Sequence, residues 1–336
     1  MGRILSRFVA SVVVWQAAAI ELPCEKCHPQ QSHFQPGTPM AHALSRATES
    51  EILRNQPDLR FKDGKYAYQI KREVNQVTYS VRNGDEVFSV PVLWAFGLGS
   101  AGQTFVYEYS GAFYESRVSY FSALGGLDIT VGHKSIPRSD EIADAAGRRL
   151  PKLEASRCFG CHATVTGEDI EPGVQCDHCH LGAKKHASTI LKGTAPLTPP
   201  KLSQLDSEEM STFCGQCHRT WEEIAANGPH NVNNVRFQPY RLALSKCYES
   251  SPLDKRIRCT ACHDPHQDVV KDAASYDAKC QACHANRAGQ GANKSCPKAQ
   301  ANCVTCHMPK VELTEAHFRF TDHRIRVAHA NEPYPD

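Results

Sequence analysis

Cys158-Phe-Gly-Cys161-His162 opens a run of six stretches of one form within 150 residues, continuing with Cys176-Asp-His-Cys179-His180, Cys214-Gly-Gln-Cys217-His218, Cys259-Thr-Ala-Cys262-His263, Cys280-Gln-Ala-Cys283-His284 and Cys303-Val-Thr-Cys306-His307. A seventh, Cys24-Glu-Lys-Cys27-His28, stands alone near the N-terminus. Two thiols three positions apart can add to the two vinyl groups of one haem, while the next imidazole turns under the ring to ligate the iron. Zinc ribbons fit less well. They require no His after every second Cys, and they use Cys pairs two at a time, which seven copies do not supply. A thioredoxin-like redox pair would be a single motif on a βα unit. The expectation is seven covalently bound c-type haems, held by these fourteen cysteines, with His28, His162, His180, His218, His263, His284 and His307 as proximal iron ligands.

Of sixteen cysteines only Cys247 and Cys296 remain, an even remainder that suggests one disulfide in an oxidising compartment. The N-terminus points to the same compartment. Arg3 and Arg7 form a basic region, Phe8 to Ala19 an apolar run too short to span a bilayer, and Ala17-Ala18-Ala19 a small-residue cleavage site. A signal peptide over 1–19 and a periplasmic or extracellular address follow as expectations. No later stretch is long and apolar enough to cross a membrane, so no transmembrane anchor is expected in the mature chain. The formal charge of +2 omits the cofactors. Seven ferric haems with ionised propionates would bring it to about −5, which gives a nucleic-acid role no support.

Along the chain, the sequence divides into 20–60, carrying the first motif and a helix, 61–135, a β segment without haem, and 136–336, a six-haem electron-transfer domain. Pro39 to Asn55 reads as a helix with Met40, Ala43, Leu44, Ala47, Ile52 and Leu53 as its apolar stripe. Gln76–Arg82 and Asp85–Val90 flank Asn83-Gly84, and Phe105–Tyr109 and Phe113–Phe121 flank Ser110-Gly111, so two antiparallel hairpins are expected. Leu127 to His133 reads as a loop and Asp140 to Leu150 as a short helix. From Cys158 to His307 only 22 of 150 residues are Leu, Ile, Val or Phe, too few for an ordinary core. Porphyrin faces would replace them, with short helices around each motif, one of them capped by Asp206 or Ser207 ahead of Glu208 and Glu209.

Ten histidines lie outside the proximal positions: His33, His42, His133, His178, His186, His230, His266, His317, His323 and His329. A second imidazole makes a low-spin, six-coordinate iron suited to electron transfer, and a missing one leaves a site for substrate. The distal candidates are His42, His133, His186, His230, His266, His317 and His323. His178 sits inside its own motif, and His329 near the terminus reads as solvent-exposed.

The chain resembles bacterial multihaem c-type cytochromes related to the tetrahaem cytochromes of nitrification. The resemblance rests on Cys24-Glu-Lys-Cys-His28 with Thr38-Pro-Met-Ala-His42; Gly173-Val-Gln-Cys-Asp-His-Cys-His180 with His186; Cys259-Thr-Ala-Cys-His-Asp-Pro-His266; and Cys303-Val-Thr-Cys-His-Met-Pro-Lys310 with Phe320-Thr-Asp-His323. It implies closely packed, mostly bis-histidine haems and electron transfer between redox protein donors and acceptors, and it adds support for His42, His186, His266 and His323 as distal ligands. The fold expected is a multihaem cytochrome c, mainly α and irregular around packed haems, with an inserted antiparallel β segment near the N-terminus. Two other functions stay open. One is a reductase or oxidase of small nitrogen or sulfur oxyanions at a five-coordinate haem, with Tyr114, Arg117 or Arg236 as donors. The other is a subunit of an extracellular cytochrome filament, self-associating through haem-bearing surfaces.

Overall fold

The computed structural model describes residues 23–133, 141–167, 169–195, 197–249, 251, 256–284, 296, 298–329 and 331–335. The expected signal peptide lies outside the described residues. Tyr66, Tyr68 and Ile70, then Val77, Tyr79 and Val81, then Phe88, Val90 and Val92 are buried at every second position. That alternation gives each strand one apolar face and so commits the segment to a sheet. Nine strands result: β1 (Leu44–Arg46), β2 (Asp58–Asp63), β3 (Tyr66–Arg72), β4 (Val77–Asn83), β5 (Glu86–Phe96), β6 (Gly102–Tyr109), β7 (Ala112–Phe121), β8 (Gly126–Ile129) and β9 (Gly147–Arg149). The order is β2-β3-β4-β5-β6-β7-β8, antiparallel throughout, with β1 added to β5 and β9 to β7.

Both expected hairpins form. Ser110 at φ 50° and Gly111 at φ 71° supply the two left-handed residues of a tight turn whose twist matches its strands. In the other hairpin Asn83 faces Glu86, so the loop is Gly84-Asp85, one residue beyond the Asn-Gly signal. Register shifts at Val92/Trp94 and Thr104/Val106 mark β-bulges, which increase local twist. The sheet curls until β2 and β8 lie side by side, and Arg117 on β7 reaches Asp63 at the end of β2 at 2.9 Å. Ile70, Tyr79, Val81, Phe105, Tyr107 and Val118 fill the inside.

This nearly closed, barrel-like sheet overturns the mainly α, haem-packed fold with a β insertion. The sheet is the largest ordered unit of the described chain and draws in residues on both sides of 61–135. The helix expected over Pro39–Asn55 is confined to Glu51–Asn55, where the Ser50 hydroxyl caps it by accepting the Leu53 N–H. Upstream, Leu44 is only 2 % exposed because β1 pairs with the end of β5, and strand pairing outweighs the helical periodicity. Part of the expected loop Leu127–His133 is strand β8. Of the expected helix Asp140–Leu150 only Ile142–Ala146 is helical, and Gly147–Arg149 joins β7.

The outer face of β5 and β6 carries a second core of Leu44, Trp94, Val106, Leu150, Ala155 and Phe159. Phe159 lies inside the second Cys-x-x-Cys-His motif. Its ring meets Trp94 at 5.6 Å, Phe96 at 5.3 Å and Phe113 at 5.4 Å. The helix Lys152–His162 is thus docked on the barrel by a residue between its two motif cysteines. Beyond it the chain forms short helices and two small hairpins, Ala163–Thr166 with Asp169–Pro172 and Lys310–Leu313 with Phe318–Thr321. The expected cap is present: Asp206 accepts the Glu209 N–H at 2.9 Å and Glu209 answers on the Asp206 N–H, a capping box on the helix Ser207–His218.

Candidate functional site

Each motif sits on the last turn of a short helix or on a 3-10 turn, which brings its cysteines to one side and its His to the end. The helices Lys152–His162, Ser207–His218 and Asp277–His284 each end on the motif His. Cys24–Lys26 and Cys259–Ala261 are 3-10 turns closed by His28 N–H to Cys24 O at 2.8 Å and His263 N–H to Cys259 O at 3.0 Å.

The motifs gather, although their sequence separations are large. Thiols of different motifs lie close together: Cys24 by Cys176, Cys161 by Cys217, Cys214 by Cys259, and Cys280 by Cys303. Cys179 lies near Cys214 and Cys217, and Cys262 near Cys280. Asp277 ties the sixth motif to the seventh by accepting the Asn302 and Cys303 N–H groups at 2.7 and 2.9 Å. Those bonds hold its carboxyl below the ordinary range. Cys247 and Cys296 are both free thiols, so the disulfide suggested by the cysteine count is not formed; Cys247 lies near Cys280 and Cys283 instead.

The histidines divide according to which ring nitrogen is engaged. His162 donates Nδ1–H to the Ala43 carbonyl at 2.9 Å, His307 to Arg326 O at 2.9 Å, His186 to Leu197 O at 2.9 Å and His323 to Thr321 O at 3.0 Å. His218 uses Nδ1 on Gln238 Oε1 at 3.2 Å, and His266 on Asp264 Oδ1 at 3.1 Å. A carbonyl can only accept, so these imidazoles carry the proton on Nδ1 and leave the Nε2 lone pair for a metal. His133 and His317 are arranged the other way. Their Nε2 atoms go to Glu115 on β7 at 2.9 Å and Asp128 on β8 at 2.8 Å, and both residues lean on the barrel. Among the other distal candidates, His42 and His230 are exposed.

Two imidazole pairs stand out. His180 and His266 have ring centroids 6.1 Å apart with planes 5° from parallel, and His263 and His323 are 6.2 Å apart at 43°. Two imidazoles on opposite sides of one metal have centroids about 6 Å apart, given metal–nitrogen bonds of about 2 Å. Burial lowers the basicity of His162, His180, His218 and His263, and pushes His323 down to about 4. These rings are therefore neutral at pH 7, as ligation requires. Among the described residues no group of three or more His, Cys, Asp or Glu could hold a metal ion by itself. Haem iron draws four ligands from the porphyrin and needs only one or two from the chain.

Sequence reading missed what holds His323. Asp322 beside it forms a fully buried pair with Arg241, 81 positions away, and the Ser245 hydroxyl donates to His323 O at 2.9 Å. No local pattern marks that pair. Nor does one mark the crossing at Gly173, which binds the first three motif segments together. Gly173 N–H donates to His162 O at 3.1 Å, Val174 N–H to Met40 O at 2.9 Å, and the buried Gln35 side chain to Val174 O at 2.7 Å. Gly173 holds φ 77°, and a Cβ there would overlap the Ala41 carbonyl. Gly173→Ala should cost about 2–4 kcal/mol, read from denaturant midpoints, because it combines a left-handed backbone with a backbone clash. A loss below about 0.5 kcal/mol would show that this crossing is not tightly packed.

Among the described residues no helix is long and apolar enough to cross a membrane. Compared with protein-family models, curated proteins and solved structures, the chain has no match.

Proposed function

We propose that this protein is a periplasmic or extracellular heptahaem c-type cytochrome that carries electrons between redox protein partners. The observation that carries the reading is the pair of imidazole couples, His180 with His266 and His263 with His323, at a separation of about 6 Å that would let both rings of a couple hold one iron. In each couple one ring belongs to a Cys-x-x-Cys-His motif and the other does not, which is the division of proximal and distal roles. The residues present therefore fit the group. Bound haem would supply a one-electron iron couple at each motif.

The chain's own contribution is placement. The Nδ1 hydrogen bonds orient each ring, raise its basicity as a ligand and leave Nε2 free. The thiol contacts arrange the motifs as a continuous run, first, third, fourth, fifth, sixth and seventh, with the second beside the fourth and docked on the barrel through Phe159. Such a run supports transfer along the molecule without catalytic side chains. The exposed first motif at one end and the exposed Cys283 and Cys306 near the other offer two places for a partner to exchange electrons.

The test is the haem count of the purified, exported protein by mass spectrometry, with electron paramagnetic resonance of its oxidised form. Seven covalently attached haems with low-spin signals are expected. Protein exported in folded form without covalent haem would end the proposal. A stoichiometric high-spin signal that shifts on addition of nitrite would replace electron carriage by reduction of a small oxyanion.

A further inference from the structure

Between the second and fourth motifs lies a cavity of about 340 Å³ lined by Arg157, Arg219, Glu223, Ile224, Asn227 and Arg236, with Phe237 beside them. Arg157 immediately precedes Cys158 and Arg219 immediately follows His218, so the cavity is built by the flanks of two motifs whose Cys161 and Cys217 thiols lie close together. Its charge is unbalanced. Glu223 is the one carboxylate among the lining residues, and it is already paired with Arg219 and 3.9 Å from Arg157.

Arg236 is the least satisfied member. Its Nε is buried and has no hydrogen-bond partner among the described residues, and its guanidinium lies 5.3 Å from the Phe237 ring. Burial and the charge of Arg219 both disfavour its ionised form, with Glu315 the acidic group that opposes them. Arg219 is meanwhile held at φ 67°, a backbone region that arginine seldom adopts. A half-enclosed cation with an unfilled N–H, beside a second cation and an apolar ring, is stabilised by an anion that can accept in the plane of the guanidinium.

We propose that this cavity binds an anionic oxygen ligand, a carboxylate or a small oxyanion, on Arg236 and Arg219, with Arg157 at its edge. The same chemistry has two sources. One is a propionate of a haem held by a neighbouring motif, which rests on the function proposed above. The other is a free oxyanion, which does not.

The experiment uses the full-length purified protein with its haem count fixed by mass spectrometry, in wild-type, Arg236→Gln and Arg236→Lys forms. Inorganic phosphate and nitrite are titrated by calorimetry, and the haem potentials are measured by spectroelectrochemistry. With a free-oxyanion site, wild type binds one of the two probes and Arg236→Gln binds it at least about tenfold more weakly, since a charge-assisted bond is lost. With a propionate in place, wild type binds neither probe, and the potential of one haem falls in Arg236→Gln but is largely kept in Arg236→Lys. Absence of probe binding together with unchanged potentials overturns the proposal. If the protein proves to carry no haem, the function proposed above fails on the haem count, and the titration alone decides the cavity.

Discussion

Asp322→Ala is expected to destabilise the C-terminal half by about 3–5 kcal/mol and to detach His323 from its partner imidazole. Arg241 and Asp322 are both 0 % exposed, and the guanidinium bonds the two carboxylate oxygens at 2.9 and 3.0 Å. Arg326 and the Arg324 N–H occupy the remaining sites on the carboxylate at 2.9 and 3.0 Å. The Tyr334 ring covers the guanidinium at 4.6 Å, and Asn234 accepts from both Arg241 and Tyr334. Removing the carboxylate leaves a buried, unpaired charge, which costs more than the pair itself contributes. The peptide most affected is the one that carries His323, whose carbonyl accepts from the Ser245 hydroxyl at 2.9 Å while Ile325 N–H, two residues on, donates to the same hydroxyl at 2.8 Å. Denaturant unfolding followed by far-ultraviolet circular dichroism measures the first effect, and, if the proposed haems are bound, the low-spin fraction measures the second. The double change Arg241→Met with Asp322→Leu should recover much of the stability, because no charge is left buried. A single-variant loss below about 1 kcal/mol would show that water reaches the pair.

On the heptahaem reading proposed above, His323→Ala and His266→Ala should each convert one haem from low-spin to high-spin. The first acts opposite His263 and the second opposite His180, because these are the rings that stand 6.2 and 6.1 Å away. The matching controls are His133→Ala and His317→Ala, which should leave every haem low-spin. His133 is 4 % exposed and spends Nε2 on Glu115, while His317 spends Nε2 on Asp128. Electron paramagnetic resonance of the four oxidised variants decides the assignment. A high-spin signal in His133→Ala with none in His266→Ala would invert it. If the proposed haems are bound, cyanide should also bind in His323→Ala and His266→Ala, an independent optical readout.

The structure bears out the Ser110-Gly111 turn and the Asp206 cap and overturns several longer readings. Ser110-Gly111 forms its turn because two adjacent residues must accept positive φ, a requirement met within the dipeptide. Asp206 caps its helix because the groups involved lie three positions apart. The stripe from Met40 to Leu53 has helical spacing, yet Leu44 is taken into the sheet by Phe96, 52 positions away. Nothing in the stripe carries that information. The imidazoles illustrate the same limit. His133 and His186 are both distal candidates in sequence, with the resemblance favouring His186, and in the structure Glu115 on β7 engages Nε2 of the first while the Leu197 carbonyl engages Nδ1 of the second.

The sequence by itself determined the seven Cys-x-x-Cys-His units, the Ser110-Gly111 turn and the helix cap. Each depends on atoms a few bonds apart, so residue type and spacing are sufficient. Only the tertiary structure decided that the segment between the first two motifs curls into a nearly closed nine-stranded sheet, that Phe159 fastens the second motif to it, and that His180 faces His266 while His263 faces His323. Those outcomes rest on burial, on bulge-driven twist and on a buried ion pair across 81 residues. Energies of that kind arise only once distant parts of the chain exclude water from one another.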